Sequence, residues 1–247
     1  GEECIPEENS RITSSTIEML DMEQHYDIAV IDEAQMIADR DRGHSWTRAI
    51  LGVKADEIHI CMSPAAEEVV THLIALCDDT FEVRHYERKT ALVCEQEAFV
   101  FPDDVTEGDA LITFTKRAVL DIAGRLEREG IRASVIYGSL PPEIRRRQIR
   151  LFLSHETKVV VSTDAIGMGL NLPVRRIVFI QTEKYDGIST RPLNIPEIRQ
   201  IAGRAGRFGM YDTGYVNAMG EDARNYIAKR FDQPEPVIKK VSLGFPH

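Results

Sequence analysis

Residues 29–37 read AVIDEAQMI, an apolar run that stops at Asp32-Glu33-Ala34-Gln35. The run is a short strand candidate over 27–31, and its tip carries two adjacent carboxylates. At the carboxyl end of a strand, the first carboxylate can hold Mg²⁺ against phosphate oxygens and the second can orient or deprotonate an attacking water. Adjacent side chains leave a strand tip in different directions, so both jobs are feasible. Gln35 then stands within reach of that water or of a neighbouring element. The alternative is a pair of solvated acids at a helix N-terminus, where they favour the dipole.

Outward from this point the first half offers a second strand candidate at 57–62 and a helical stretch at 46–51. From 82 to 107 the periodicity weakens; VRHYERKTALV reads as extended and FPDDVTEGD as turn, which places a domain boundary near 85–108. The second half alternates regularly. Strands are expected at 110–115, 133–137, 158–162, 176–180 and 215–218, and helices at 116–129, 141–153 and 221–231. In the first of these helices Val119, Leu120, Ile122, Ala123 and Leu126 form one apolar face. Strands that are apolar throughout, alternating with helices, predict an α/β fold with parallel sheets covered by helices on both faces. Ligands of such sheets sit at the carboxyl ends of the strands, where the unusual residues of this sequence are expected to gather.

With 247 residues and 43% hydrophobic content the chain can bury one large core or two small ones. No window approaches the roughly 18 uninterrupted apolar residues of a transmembrane helix, so no membrane partner is expected. The N-terminal GEECIPEENS lacks the order of a secretory signal. Cys4, Cys61, Cys77 and Cys94 form no CxxC pair, which fits reduced thiols in a cytosol-like compartment. The net charge of −10 is unevenly split. Residues 1–110 carry 26 acidic and 8 basic side chains (−18), and residues 111–247 carry 14 and 22 (+8). The second part suits an anionic partner, or else the two parts attract each other.

Further strings carry chemistry. In QIAGRAGRFG (200–209), Arg204 and Arg207 lie three apart, so on a helical turn both point the same way between slim glycines. Such a pair can neutralise charge on a transferring γ-phosphoryl group, or it can be salt-bridged to the acidic half. In VVVSTDAIGMGLNLP (159–173), a buried strand ends in Ser162-Thr163-Asp164, and Gly167 and Gly169 follow. Hydroxyls and exposed amides there suit a sugar–phosphate backbone, although a tight strand-to-helix turn explains the glycines equally well. YGSLPPEIRRRQIRLF (137–152) sets Gly138 and Ser139 after a strand and Arg145, Arg146, Arg147 and Arg150 on the next helix. For most of these arginines a solvated helix face is favoured over a phosphate grip. TSSTIEM (13–19) offers hydroxyls near a helix start, with an ordinary N-cap as the alternative, and Ser63-Pro64-Ala65 closes the second strand but by itself carries no information. A phosphate-binding loop would need GxxxxGK[ST], and no Gly-Lys pair occurs in the chain.

Together these strings resemble a superfamily 2 helicase read from the middle onward. Asp32–Gln35 is similar to motif II, Ser63–Ala65 to motif III, Thr163–Asn171 to motif V and Gln200–Arg207 to motif VI. AVIDEAQMI, RGHSWTRAILG, VIYGSLPP, STDAIGMGLNLPVRRIVF and QIAGRAGRFG, in that order, resemble the ATP-dependent RNA helicases of the mitochondrial degradosome and their bacterial relatives. The resemblance spans about residues 13–209, and 211–240 is loosely compatible.

It implies a partial first RecA-like domain over 1–85, a complete second one over 86–235, and a tail at 236–247. The phosphate-binding loop is expected in an upstream segment, the chain alone is expected to be inactive, and the first-domain sheet is expected to show an open edge or apolar face. ATP and Mg²⁺ are the implied cofactors, with Asp32 on the metal and Glu33 as catalytic base. By the same analogy Gln200, Arg204 and Arg207 reach the γ-phosphate, Arg207 as the arginine finger. Gln35, Gly169 and Asn171 lie near the nucleotide. Thr16, Thr115, Gly138, Ser139, Thr163 and Asp164 track RNA, single-stranded or a duplex with an overhang, with DNA as a further option. ATP-driven opening and closing would separate the strands. An exoribonuclease partner follows from the family alone. The expected compartment is the bacterial cytoplasm, with the mitochondrial matrix as alternative. The rival reading is a helicase-like module that binds RNA or protein without hydrolysing ATP.

Overall fold

The computed structural model describes residues 11–167 and 172–243. The chain divides into two compact units, one running to His85 and completed by the residues from Glu235 onward, the other Tyr86–Pro234.

In the first unit, β1 (His25–Ile31) pairs in parallel with β2 (Lys54–Ile60), with Ile31 beside Ile60. The helix α1 (Gly43–Gly52) connects them, and α2 (Glu67–Leu76) follows. Ile31, Ile37, Trp46, Ile50, Val70 and Leu73 form the core on one side of this two-stranded sheet. Gly43 is dictated by a close approach, since a Cβ there would lie 2.4 Å from the Ile37 carbonyl oxygen. The chain returns here at its end. The Ile238 N–H donates to the Ala65 carbonyl (2.8 Å), Thr47 Oγ1 donates to the Ser242 carbonyl (2.8 Å), and Ile238 and Val241 pack on the same core. Ile28 and Val30, two apart on β1 and so on one face, remain 58% and 66% exposed.

The second unit has six parallel strands in the order β3-β10-β7-β4-β6-β5. They are β3 (Ala91–Cys94), β4 (Asp109–Ile112), β5 (Ala133–Ile136), β6 (Val159–Ser162), β7 (Arg176–Phe179) and β10 (Thr213–Ala218). A small antiparallel hairpin, β8 (Glu183–Tyr185) and β9 (Thr190–Pro192), follows β7. The helices are α3 (Lys116–Arg128), α4 (Pro142–Leu153), α5 (Ile195–Ala202) and α6 (Glu221–Phe231).

Alternate residues of each strand feed two separate cores. Leu111, Val159, Val161 and Val178 face Val119, Ile122 and Leu126 of α3. Ala110, Ile112, Val160, Ile177 and Phe179 face Phe152 of α4, Ile198 and Ile201 of α5 and Ile227 of α6. A sheet buried on both sides explains why its strands read as unbroken apolar runs. At the amino ends of β4 and β7, Arg176 is paired with the fully buried Asp109 (2.7 Å) and with Glu95 (3.2 Å). Burial pushes the Asp109 carboxyl upward, against the pull of Arg176.

Three expectations change. Leu120 is 47% exposed, because one residue beyond Val119 is a 100° step that turns it off the buried face of α3. The extended stretch predicted across 83–93 contains a strand only from Ala91. Arg204 and Arg207 do not lie on a helical turn, since α5 ends at Ala202 and the chain then turns through a β-bridge between Ala205 and Val174.

Candidate functional site

The tip of β1 is built by its partner strand. The Cys61 N–H donates to the Ile31 carbonyl and the Ala34 N–H to the Cys61 carbonyl, both at 2.9 Å, so residues 32 and 33 are arched over the end of the sheet. Glu33 takes the left-handed conformation (φ 53°, ψ 40°). In a residue with a side chain that costs on the order of 1–3 kcal/mol and persists only where the surroundings enforce it. Three bonds enforce it here. The Glu33 N–H donates to Asp32 Oδ1 (2.8 Å), Trp46 Nε1–H donates to the Asp32 carbonyl (2.9 Å), and Gln35 Nε2 donates to Glu33 Oε2. Gln35 Oε1 in turn accepts the Ser63 N–H (3.1 Å). Asp32 is exposed and Glu33 half-buried. Glu33 stands at the N-cap position of the 3₁₀ turn Ala34–Ala38 without a side-chain cap bond to it, and its carboxylate is engaged by Gln35. Asp32, Glu33, Gln35 and Ser63 thus form one connected chain of contacts. The Ser63 hydroxyl is buried and, among the described residues, has no partner.

An exposed carboxylate beside a bent backbone offers hard oxygen donors, the chemistry Mg²⁺ selects. Mg²⁺ keeps waters and phosphate ligands and needs only one or two protein carboxylates. Asp32 therefore fits the ion. Thr16 precedes the 3₁₀ turn Ile17–Met19 in extended backbone; it is exposed and makes no cap bond.

In the second unit the sequence-predicted residues fall into two groups. Thr115, Gly138, Ser139, Thr163 and Asp164 lie just past the carboxyl ends of β4, β5 and β6. Thr115 Oγ1 accepts the Ala118 N–H (3.1 Å) and caps α3. Gly138 and Ser139 are exposed, and the Gly138 carbonyl accepts from Arg145 Nη2 (2.9 Å), so this arginine shapes the turn. Thr163 is buried at 7% exposure and accepts the Ala165 N–H (3.3 Å). Asp164 is paired with Lys184 (2.8 Å), which also reaches Glu197 (3.2 Å). Burial opposes the charge of Lys184, but the two carboxylates outweigh it and hold the ammonium above its usual range.

Gln200, Arg204 and Arg207 form the other group, and only Gln200 is helical. A crossover helix starts at the carboxyl ends of the strands and runs back, so α5 delivers its C-terminus to the amino ends. The backbone of residues 204–207 consequently lies toward the amino ends, where Ala205 bridges Val174 and Gly206 abuts Gly214. Gly206 has φ +68°, and a Cβ there would lie 2.5 Å from the Gly214 nitrogen at the start of β10. Arg204 Nη2 donates to the Gly167 carbonyl, and Gln200 packs on Gly167, tying the two strings together. Gly169 and Asn171 lie outside the described residues.

Sequence reasoning missed three supports of this site. Trp46 holds the strand tip, and Lys184 neutralises Asp164. Arg88 grips the turn after α5: Nε bonds the Thr90 carbonyl (2.9 Å), Nη1 the Gly203 carbonyl (2.7 Å), and Nη2 the Ala205 and Gly206 carbonyls. Nothing in the local pattern around Arg88 marks it, because every carbonyl it reaches beyond Thr90 is more than a hundred residues away.

Residues 1–86 match the DEXQ-box helicase domain of Suv3, and residues 89–209 match the helicase conserved C-terminal domain. The chain is 40% identical to the mitochondrial ATP-dependent RNA helicase SUV3 of Oryza sativa subsp. japonica over its whole length, covering 43% of that protein. It is 43% identical to the Caenorhabditis elegans homolog (87% of this chain, 29% of that protein) and 35% identical to Saccharomyces cerevisiae SUV3 (97% and 34%). The chain thus spans less than half the length of these relatives. In fold it is similar to S. cerevisiae Dbp5 in a structure with RNA and ADP BeF3 (TM-score 0.57, 20% identity, 85% of this chain and 58% of that one). Motif order, a parallel sheet of the RecA-like kind and two family matches that together span 1–86 and 89–209 agree, and the chain belongs to the Suv3-type superfamily 2 helicases.

Proposed function

We propose that this chain supplies the motif II to motif VI portion of an ATP-dependent RNA helicase, an NTP hydrolase whose turnover drives RNA unwinding. The observation that carries it is the strained tip of β1, where Glu33 is held left-handed and linked through Gln35 to Ser63. Strain of this kind clusters at functional sites; Asp78 and His155 share the conformation in turns that follow helices, whereas Glu33 adopts it at a strand tip between Asp32 and Gln35. Asp32 would hold Mg²⁺, which when bound neutralises phosphate charge. Glu33, its carboxylate oriented by Gln35, takes the proton of the attacking water. Gln200, Arg204 and Arg207 stabilise charge on the γ-phosphoryl group, Arg207 as the finger; Gly169 and Asn171 are assigned to the nucleotide by the resemblance alone.

The carboxyl-edge set, Thr115, Gly138, Ser139, Thr163 and Asp164, together with Thr16 of the first unit, tracks the RNA backbone through hydroxyls and amides. Such contacts read backbone rather than bases, so single-stranded RNA or an overhang suffices and DNA competes unless the 2′-OH is read. The mitochondrial naming of the relatives favours the mitochondrial matrix over a bacterial cytoplasm. An exoribonuclease partner is carried by family analogy.

The test is Mg-ATP hydrolysis with and without single-stranded RNA, in a protein carrying this chain behind a phosphate-binding loop. RNA-stimulated turnover is expected, falling about a hundredfold or more in Glu33→Gln while RNA binding persists. RNA binding with no turnover in the unchanged protein would instead identify a binding module.

A further inference from the structure

Three consecutive residues just beyond the boundary between the two units close on the arginine turn. Arg88 bonds the carbonyls of Gly203, Ala205 and Gly206 with the two ends of one guanidinium. Lys89 places its ammonium 4.9 Å from the ring centre of Phe208. Thr90 closes the turn from below, its Cγ2 lying 2.8 Å from where a Cβ on Gly206 would stand. Arg207 is therefore bracketed, with Gly206 held on one side and Phe208 on the other. Arg88, Lys89 and Thr90 belong to no helix or strand.

We infer that Arg88 is a positioning residue for Arg207, and that the segment entering the second unit sets the aim of the arginine finger. The inference rests on the proposed role of Arg207. The physical reason is the geometry of the guanidinium. It presents its N–H donors in a rigid planar fork, so bonds to three carbonyls of one turn fix the turn's orientation as well as its place. A lysine keeps the charge but cannot span them. Turns that end a helix without such a grip choose among several backbone states, and a displaced catalytic group loses rate through misalignment. Burial of the Arg88 head group lowers its pKa, consistent with a cation held among backbone oxygens instead of water.

The experiment is a double-mutant cycle on RNA-stimulated ATP hydrolysis, in a protein carrying this chain behind a phosphate-binding loop. Arg88→Ala is expected to lower kcat by about tenfold with KM for ATP within about threefold, and Arg88→Lys by a smaller factor. In an Arg207→Ala background the same Arg88 substitutions should change kcat by less than about twofold, since a group acting through Arg207 has nothing left to position. Equal losses in both backgrounds, or a rise in KM with kcat unchanged, would overturn the inference. If Arg207→Ala alone leaves turnover intact, the proposed role of Arg207 fails, and that result is separate from the behaviour of Arg88. Melting temperatures accompany each variant; should Arg88→Ala not fold, Arg88→Lys carries the same cycle.

Discussion

Glu33 and Gly206 show the same backbone region used in two ways. Glu33 occupies it with a side chain because the strand-tip bonds to Asp32, Trp46 and Gln35 impose it. Gly206 occupies it (φ +68°) because any other residue would collide with Gly214. Gly206→Ala is therefore expected to be costly on two counts, left-handed strain and a 2.5 Å clash with rigid backbone. A loss of about 2–4 kcal/mol in urea unfolding is the expected scale, with the loss of turnover exceeding the loss of fold. A variant as stable as the parent would contradict the close packing of the turn on β10. Gln35→Ala should free the Glu33 carboxylate while leaving its backbone bent, so kcat should fall by roughly tenfold with little change in melting temperature.

At the scale of elements, α5 is the best-defined helix start in the second unit. Asn194 accepts the Glu197 N–H and the Glu197 carboxylate accepts the Asn194 N–H, both at 2.9 Å, completing a capping box. The same carboxylate takes Arg191 (2.9 Å) and Lys184 (3.2 Å). Burial opposes its charge, but Arg191, the Asn194 amide and Lys184 outweigh that, and the carboxyl sits below the usual glutamate range. A depressed carboxyl pKa stabilises the fold above the unfolded value and loses that contribution as pH falls through the folded value. Urea midpoints should therefore drop as pH is lowered below about 4.5, and Glu197→Gln should flatten that part of the profile. Asn194→Ala should cost about 1 kcal/mol. An unchanged slope in Glu197→Gln would mean that other carboxylates dominate the acid limb.

At the scale of the whole chain, the two units have separate cores and unequal completeness. The second buries both faces of six strands, whereas the first leaves Ile28 and Val30 of a two-stranded sheet exposed. Two thermal transitions are expected in place of one, the lower belonging to the first unit. Residues 86–234 made alone should retain the upper transition. A single coincident transition by calorimetry and by near-ultraviolet dichroism would reject this. RNA binding by a surface read through backbone phosphates should weaken roughly tenfold or more between 50 and 200 mM salt if about three phosphates are engaged.

Local pattern and tertiary contact each account for a distinct part of this protein. The strand runs at 110–115, 158–162 and 176–180 are apolar at every position, which already demands helices on both faces. The motif strings from AVIDEAQMI to QIAGRAGRFG state the family through their order. Both signals lie within a few consecutive residues, so they survive without coordinates. The left-handed Glu33 and the partners of Asp164 could not be read this way. Nor could the position of the 204–207 backbone toward the amino ends, or the grip of Arg88 on carbonyls 115 to 118 residues along the chain. Each depends on which loops a crossover carries to which end of the sheet. That is decided by burying the strands, a cooperative event of the whole unit that no short stretch of sequence expresses.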